Sequence, residues 1–183
     1  MNLLAAPLLA VALATTPTQT PEERPAPPAY HVDAEVDPTA YVLSGYSLHL
    51  GVGYRRVRLD LGAYAMALPS FASPNDAFDA SFDGYGAKLQ LFLLDEQTGP
   101  FVGVDAGVSR LLVERSGQAE RQTQIGTGAH AGWRIGLPAG FYATPWIGVS
   151  YVWNAAPITL AGSTYEPSRV TVFPAIHLGY RFL

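Results

Sequence analysis

Residues 46–55 read Y-S-L-H-L-G-V-G-Y-R. Tyr46, Leu48, Leu50, Val52 and Tyr54 fall on one parity, and Ser47, His49, Gly51, Gly53 and Arg55 on the other. Successive side chains of a strand point to opposite faces, so the stretch predicts a strand with one apolar and one polar side. The same period governs both ends of the patterned region. Tyr30, Val32, Ala34 and Val36 alternate with His31, Asp33, Glu35 and Asp37, and Val170, Val172, Pro174, Ile176, Leu178, Tyr180 and Phe182 alternate with Thr171, Phe173, Ala175, His177, Gly179 and Arg181. Strands are expected near 29–36, 45–55, 57–68, 82–94, 100–113, 123–136, 141–153 and 170–182. One helix is expected over 38–44, with Asp37 as N-cap, Pro38 at its first position and Gly45 after its end. The links after 94 and 136 are short, whereas those after 68, 113 and 153 are longer and rich in Pro, Asn, Asp, Ser or charge. Alternating short and long links suit an antiparallel meander, and eight strands can close into an up-and-down barrel.

Alternation leaves open which face is inside, and composition decides it. The 183 residues hold 49% apolar side chains and only 14% charged ones, with 11 Lys+Arg against 15 Asp+Glu and a formal charge of −4. An ordinary soluble domain is roughly 25% charged. The polar parity is rich in glycine (Gly51, Gly53, Gly62, Gly84, Gly86, Gly103, Gly107, Gly126, Gly128, Gly132, Gly148 and Gly179 among others), which suits a crowded interior better than a wetted exterior. Aromatics sit towards the ends of the apolar parity: Tyr46, Tyr54, Trp133, Phe141, Tyr151, Trp153, Tyr180 and Phe182. Such rings form girdles at the two interfaces of a membrane. The uncharged stretch 135–165 is interrupted by Pro138, Pro145 and Pro157, so it does not predict a spanning helix. Tilted strands of about 9–11 residues can cross a bilayer, provided that the sheet closes. The expected fold is therefore all-β: an eight-stranded antiparallel up-and-down transmembrane β-barrel over 29–183. A secreted, soluble lipocalin-like barrel is the competing reading. Scattered cations exclude a basic nucleic-acid face, and zero cysteines exclude disulfide scaffolds, thiolate metal sites, cysteine nucleophiles and lipobox anchors.

Residues 1–14 are apolar and end in Ala12-Leu13-Ala14, a small-x-small pattern expected of a signal peptide. Residues 15–28 (TTPTQTPEERPAPP) read as a Pro/Thr-rich disordered leader. The final strand, VTVFPAIHLGYRF over 170–182, closes in Gly179-Tyr180-Arg181-Phe182 before Leu183. It resembles the C-terminal strand of the small eight-stranded Gram-negative outer-membrane barrels typified by OmpA and OmpX. The resemblance covers roughly 29–182 and implies an outer-membrane location, short periplasmic turns and longer extracellular loops. It also implies an assembly signal at Tyr180 and Phe182 for the barrel assembly machinery.

Every histidine lies on the polar parity, together with many of the strand charges, which predicts a lumenal network of His31, Asp33, Glu35, His49, Arg58, Asp60, Lys88, Asp105, His130, Arg134, His177 and Arg181. Hairpin partners keep a near-constant sum of residue numbers. By that arithmetic Asp60 meets Lys88, Lys88 meets Asp105, and Asp105 meets His130. Closure of the first strand on the last brings Glu35 near His177 and Asp33 near Arg181. An eight-stranded barrel has room inside for little beyond its own side chains, so these charges are expected to pair into a structural plug. The expected role is that of a monomeric structural or interaction barrel, without enzymatic activity, cofactor or metal, in contact with outer-membrane lipid and lipopolysaccharide. The alternatives are a narrow pore and a lipid A-modifying enzyme. The enzyme would need a serine within reach of a histidine, and the nearest candidates, Ser150 and His130, are expected to lie diagonally apart. Asp76, Asp79 and Asp83 are expected in an acidic, solvated first loop, without EF-hand spacing. Arg110, Arg115, Arg121 and Arg169 are expected near the outer rim, where cations can meet lipopolysaccharide phosphates.

Overall fold

The computed structural model describes residues 30–70, 73–94 and 97–182. The expected leader segments 1–14 and 15–28 lie outside them, as does Leu183. Alternating parity becomes strand wherever it was read: β1 (Tyr30–Val36), β2 (Tyr46–Tyr54), β3 (Val57–Ala67), β4 (Asp79–Phe92), β5 (Gly99–Arg115), β6 (Gln118–Gly136) and β7 (Phe141–Val152). Two short strands follow, β8 (Ile158–Leu160) and β9 (Ser163–Tyr165), before β10 (Val170–Arg181). The closed barrel has the order β1-β10-β7-β6-β5-β4-β3-β2, with β8 and β9 forming a separate hairpin. All its pairings are antiparallel. The seam between β1 and β10 is short: Asp33 to Val36 pair with Arg181 to Leu178, while β5 and β6 pair continuously from Gly99–Arg134 to Arg115–Gln118.

Burial is inverted relative to a water-soluble barrel. Leu50 is 57% exposed and Val104 57%, while Arg58, Asp33 and Asp60 are 0% exposed. Outward residues form an apolar wall, and on it the rings of Tyr30–Tyr54 and Phe141–Tyr180 meet tilted at 4.6 and 4.9 Å and those of Tyr180–Phe182 edge to face at 5.1 Å. The helix α1 (Pro38–Val42) joins β1 to β2. Asp37 caps it by accepting from the Thr39 N–H at 2.9 Å, and it stops two residues earlier than expected because Ser44 takes a left-handed conformation, φ 58°.

Two connections differ from expectation. The link after 113 is no long loop: β5 and β6 run on to a two-residue turn at Ser116-Gly117, both at positive φ, as a tight hairpin turn requires. The link after 153 contains the β8–β9 hairpin, which turns at Ala161-Gly162 in the same manner. That hairpin packs Ile158, Leu160 and Tyr165 against Phe78, Ala80, Leu111 and Val113, making a small apolar cluster at the loop end of the barrel. The Phe78 and Tyr165 rings meet edge to face at 5.6 Å. Burial pushes the Tyr165 phenol up from its ordinary pKa.

The edge of β6 beyond its last β7 partner is closed by side chains. Asn154 accepts from the Ile125 N–H at 2.8 Å and donates to the Thr123 carbonyl at 2.8 Å, and Gln118 accepts from the Ala161 N–H at 2.8 Å. The two Asn154 bonds occupy β6 backbone groups that would otherwise template another strand, and the Gln118 bond ties the β8–β9 turn to the tip of β6.

The charged lumen as candidate functional site

Parity aims the polar side chains of seven strands at one axis, and Arg58 of β3 stands at the centre. Its Nε donates to both carboxylate oxygens of Asp33 at 3.1 Å, and its Nη1 donates to the Gln90 side-chain oxygen at 3.0 Å and lies 3.0 Å from Asp60. Arg134 of β6 donates to Glu35 at 2.7 Å, and its guanidinium sits over the Tyr142 and Phe92 rings at 4.2 and 5.0 Å. His177 meets the other Glu35 oxygen through Nδ1 at 2.9 Å, and His49 Nδ1 meets Asp60 at 2.8 Å. The His49 and His177 rings lie 4.7 Å apart. Every carboxylate of this knot therefore has a cation or an imidazole against it, the condition for burying such charges at all.

The remaining predicted residues fall around this knot. Lys88 faces Asp60 in register, with Nζ 3.9 Å from the carboxylate and 4.8 Å above the Trp146 ring. Asp105 pairs with Lys88 in register and lies 3.0 Å from His130 Nδ1. His31 Nε2 is 3.6 Å from Asp33. Arg181 is the register partner of Asp33, yet it does not hold that carboxylate. Arg58 takes it from across β2, and Arg181 Nε is left buried without a hydrogen bond. Adjacency along the sheet does not decide the partner here: an equally long arginine on β3 reaches Asp33 across β2.

Sequence reasoning missed the neutral lining. Gln90 bonds Arg58, and Phe92, Phe101, Tyr142 and Trp146 all point inward. Their parity is readable, since Tyr142, Thr144, Trp146 and Gly148 alternate with outward residues, but aromatic rings occur on both faces, so aromatic character alone does not separate inside from outside. Gln97, 1% exposed, bonds the Val57 carbonyl at 2.9 Å at the turn end, and no sequence pattern marks it.

The other candidate constellations do not assemble. Ser150 pairs with Gly128 and His130 with Gly148, while the two ring nitrogens of His130 face Asp105 and Gln90. Among the described residues no serine hydroxyl bonds a histidine, and no group of three His, Asp or Glu is placed to hold a metal. Asp79 and Asp83 belong to β4 instead of a solvated loop, and Asp83 accepts from Arg110 Nε at 3.0 Å. Arg115 covers the Phe78 ring at 4.9 Å, whereas Arg121 and Arg169 are exposed.

The barrel is similar to the crystal structure of Neisserial surface protein A, with a TM-score of 0.50 and 18% identity over 84% of this chain and 96% of that one. The fold is that of the small eight-stranded outer-membrane barrels. The N-terminal β-barrel domain of Pseudomonas aeruginosa OprF is also similar, with a TM-score of 0.48 and 14% identity over 84% of this chain and 96% of that domain. No protein-family model matches the sequence, and no curated protein matches it.

Proposed function

We propose that this chain is an outer-membrane barrel of a Gram-negative bacterium, exported by its apolar N-terminal segment. Its lumen is a structural plug, and its loop end is the interaction surface. The observation that carries this reading is the inversion of burial: wholly buried Arg58 and Arg134 lie inside a wall of half-exposed Leu, Val and Ile. Only a lipid surround makes that wall favourable, and closure leaves its sheet without open edges. With the axis occupied by the Arg58–Asp33–Asp60 and Arg134–Glu35–His177 groups, the barrel conducts no steady ion current. Short turns face the periplasm, and α1, the β5–β6 hairpin tip and the β8–β9 hairpin face outward. The outward rings of Tyr180 and Phe182, edge to face at 5.1 Å, present the aromatic signal to the assembly machinery.

Cell fractionation with electrophoresis of heated and unheated detergent extracts tests the location. Outer-membrane recovery with a heat-dependent mobility shift is expected, and recovery in the soluble periplasm overturns the proposal. Planar-bilayer recording of the purified barrel tests the plug, which a steady open channel would contradict.

A further inference from the structure

The outer wall carries a feature that neither the plug nor the loops use. Across β2 to β6 the outward residues Ala63, Ala87 and Ala106 are small, flanked by Leu48 and Leu61 on one side and Val108 and Ile125 on the other. They form a shallow apolar depression of about 830 Å³. Tyr85, Val108 and Ile125 lie side by side along its loop-end margin. Two residues further along each strand the chemistry changes abruptly: Asp83 pairs with Arg110, which pairs with Thr123, and Ser81, Leu112 and Arg121 follow in the next outward row. A second recess of about 280 Å³ opens there, lined by Ser44, Ser81, Asp83, Arg110 and Arg121.

Charge selects the occupant. Arg110 is half-satisfied by Asp83, which accepts from Nε at 3.0 Å, while Arg121 has no partner among the described residues and is exposed. The recess thus holds two guanidinium groups against one carboxylate, with two serine hydroxyls beside them. Guanidinium groups bind phosphate oxygens in a bidentate fork, and a dianionic phosphomonoester suits two of them. An acyl chain in the depression below puts a headgroup phosphate at the height of this recess.

We propose that this outer-wall groove is a binding site for one phosphorylated, multi-acylated glycolipid of the lipid A class, with Arg110 and Arg121 holding its headgroup phosphate and Ala63, Ala87 and Ala106 seating its chains. The site rests on the membrane reading above and adds a defined ligand position to it. Serine hydroxyls of the recess donate to the remaining phosphate oxygens.

The test is native mass spectrometry of the full folded chain, released from micelles doped with bisphosphorylated lipid A or with its dephosphorylated form. Retention of one lipid A per barrel is expected. The dephosphorylated lipid, Arg121→Ala with Arg110→Ala, and Ala106→Phe are each expected to lower retention at least tenfold. Equal retention of the two lipids, or by wild type and the double arginine variant, overturns the proposal. Full displacement by millimolar inorganic phosphate also overturns it, since the acyl groove then contributes nothing. Heat-shift electrophoresis is run on every sample. A barrel that shifts but shows no phosphate preference loses only this site, whereas a chain that is soluble without detergent loses the membrane reading itself.

Discussion

Arg58 on β3 donates from Nε to both carboxylate oxygens of Asp33 on β1, at 3.1 Å each, across the intervening β2, with both side chains wholly buried. The pair ties β1 to β3 from inside, over β2 and next to the seam where the barrel closes. Its value lies less in attraction than in the consequence of losing one partner, because a buried charge without its counter-ion keeps the full desolvation cost.

Arg58→Ala leaves Asp33 and Asp60 short of a cation and is expected to destabilise the barrel by about 3–5 kcal/mol. Urea unfolding in lipid vesicles, followed by the heat-shift assay, measures it. Arg58→Leu combined with Asp33→Leu and Asp60→Leu is expected to recover much of the loss. A triple variant weaker than Arg58→Ala would refute the desolvation argument.

Lys88→Met provides the contrast. Lys88 Nζ is 3.9 Å from Asp60, whose carboxylate retains Arg58 and His49. The expected loss is about 1 kcal/mol, in the range of one supplementary ion pair. A loss as large as that of Arg58→Ala would move the centre of the network to Lys88.

Two glycines on the lumenal parity are expected to differ in their response to alanine. A Cβ at Gly51 collides with Asp33 and the Arg58 guanidinium, so Gly51→Ala is expected to cost about 1–3 kcal/mol through overpacking. At Gly126 the nearest atom is the Tyr151 carbonyl oxygen at 3.5 Å, and Gly126→Ala is expected within about 0.5 kcal/mol of wild type. Parallel unfolding curves decide the matter.

At the loop end, Ile158→Ala removes a side chain that is 5% exposed from the Phe78–Val113–Tyr165 cluster. Large-to-small changes of this kind cost about 2–5 kcal/mol. Here the loss falls on the hairpin alone. Proteolytic nicking within 153–169 is expected to accelerate while the heat shift of the barrel persists. Simultaneous loss of both would make the hairpin part of the barrel's own folding unit.

Asn154→Ala removes both bonds that close the β6 edge at Thr123 and Ile125. Hydrogen exchange at the Ile125 amide is expected to accelerate at least tenfold, with the barrel amides of β6 below Gly126 unchanged. Unchanged exchange at Ile125 would assign the edge to other groups.

The barrel was legible because lipid imposes strict alternation, as in YSLHLGVGY, and because hairpin arithmetic fixes lateral neighbours, as for Asp60 and Lys88. Where those constraints lapse, so does the signal. Residues 118–122 (QAERQ) lack an apolar face because they project past the apolar wall, and they read as loop although they are strand. The β8–β9 hairpin is too short to show a period, and its cluster recruits residues 80 positions away, Phe78 against Ile158. Arg58 falls on the lumenal parity, but its reach to Asp33 two strands away, in addition to Asp60, depends on a long side chain, which numbering along strands does not encode.

The seam between β1 and β10 joins four residue pairs, and its inner side carries Glu35 on β1 against His177 on β10. The first and last strands of the barrel are thus each other's neighbours, held by few backbone bonds and by a Glu35–His177 contact that needs both strands. A truncated product lacking its final strand leaves Glu35 without His177 and the sheet unjoined. Only when both strands are present and in register does an open polar trough become a sealed cylinder.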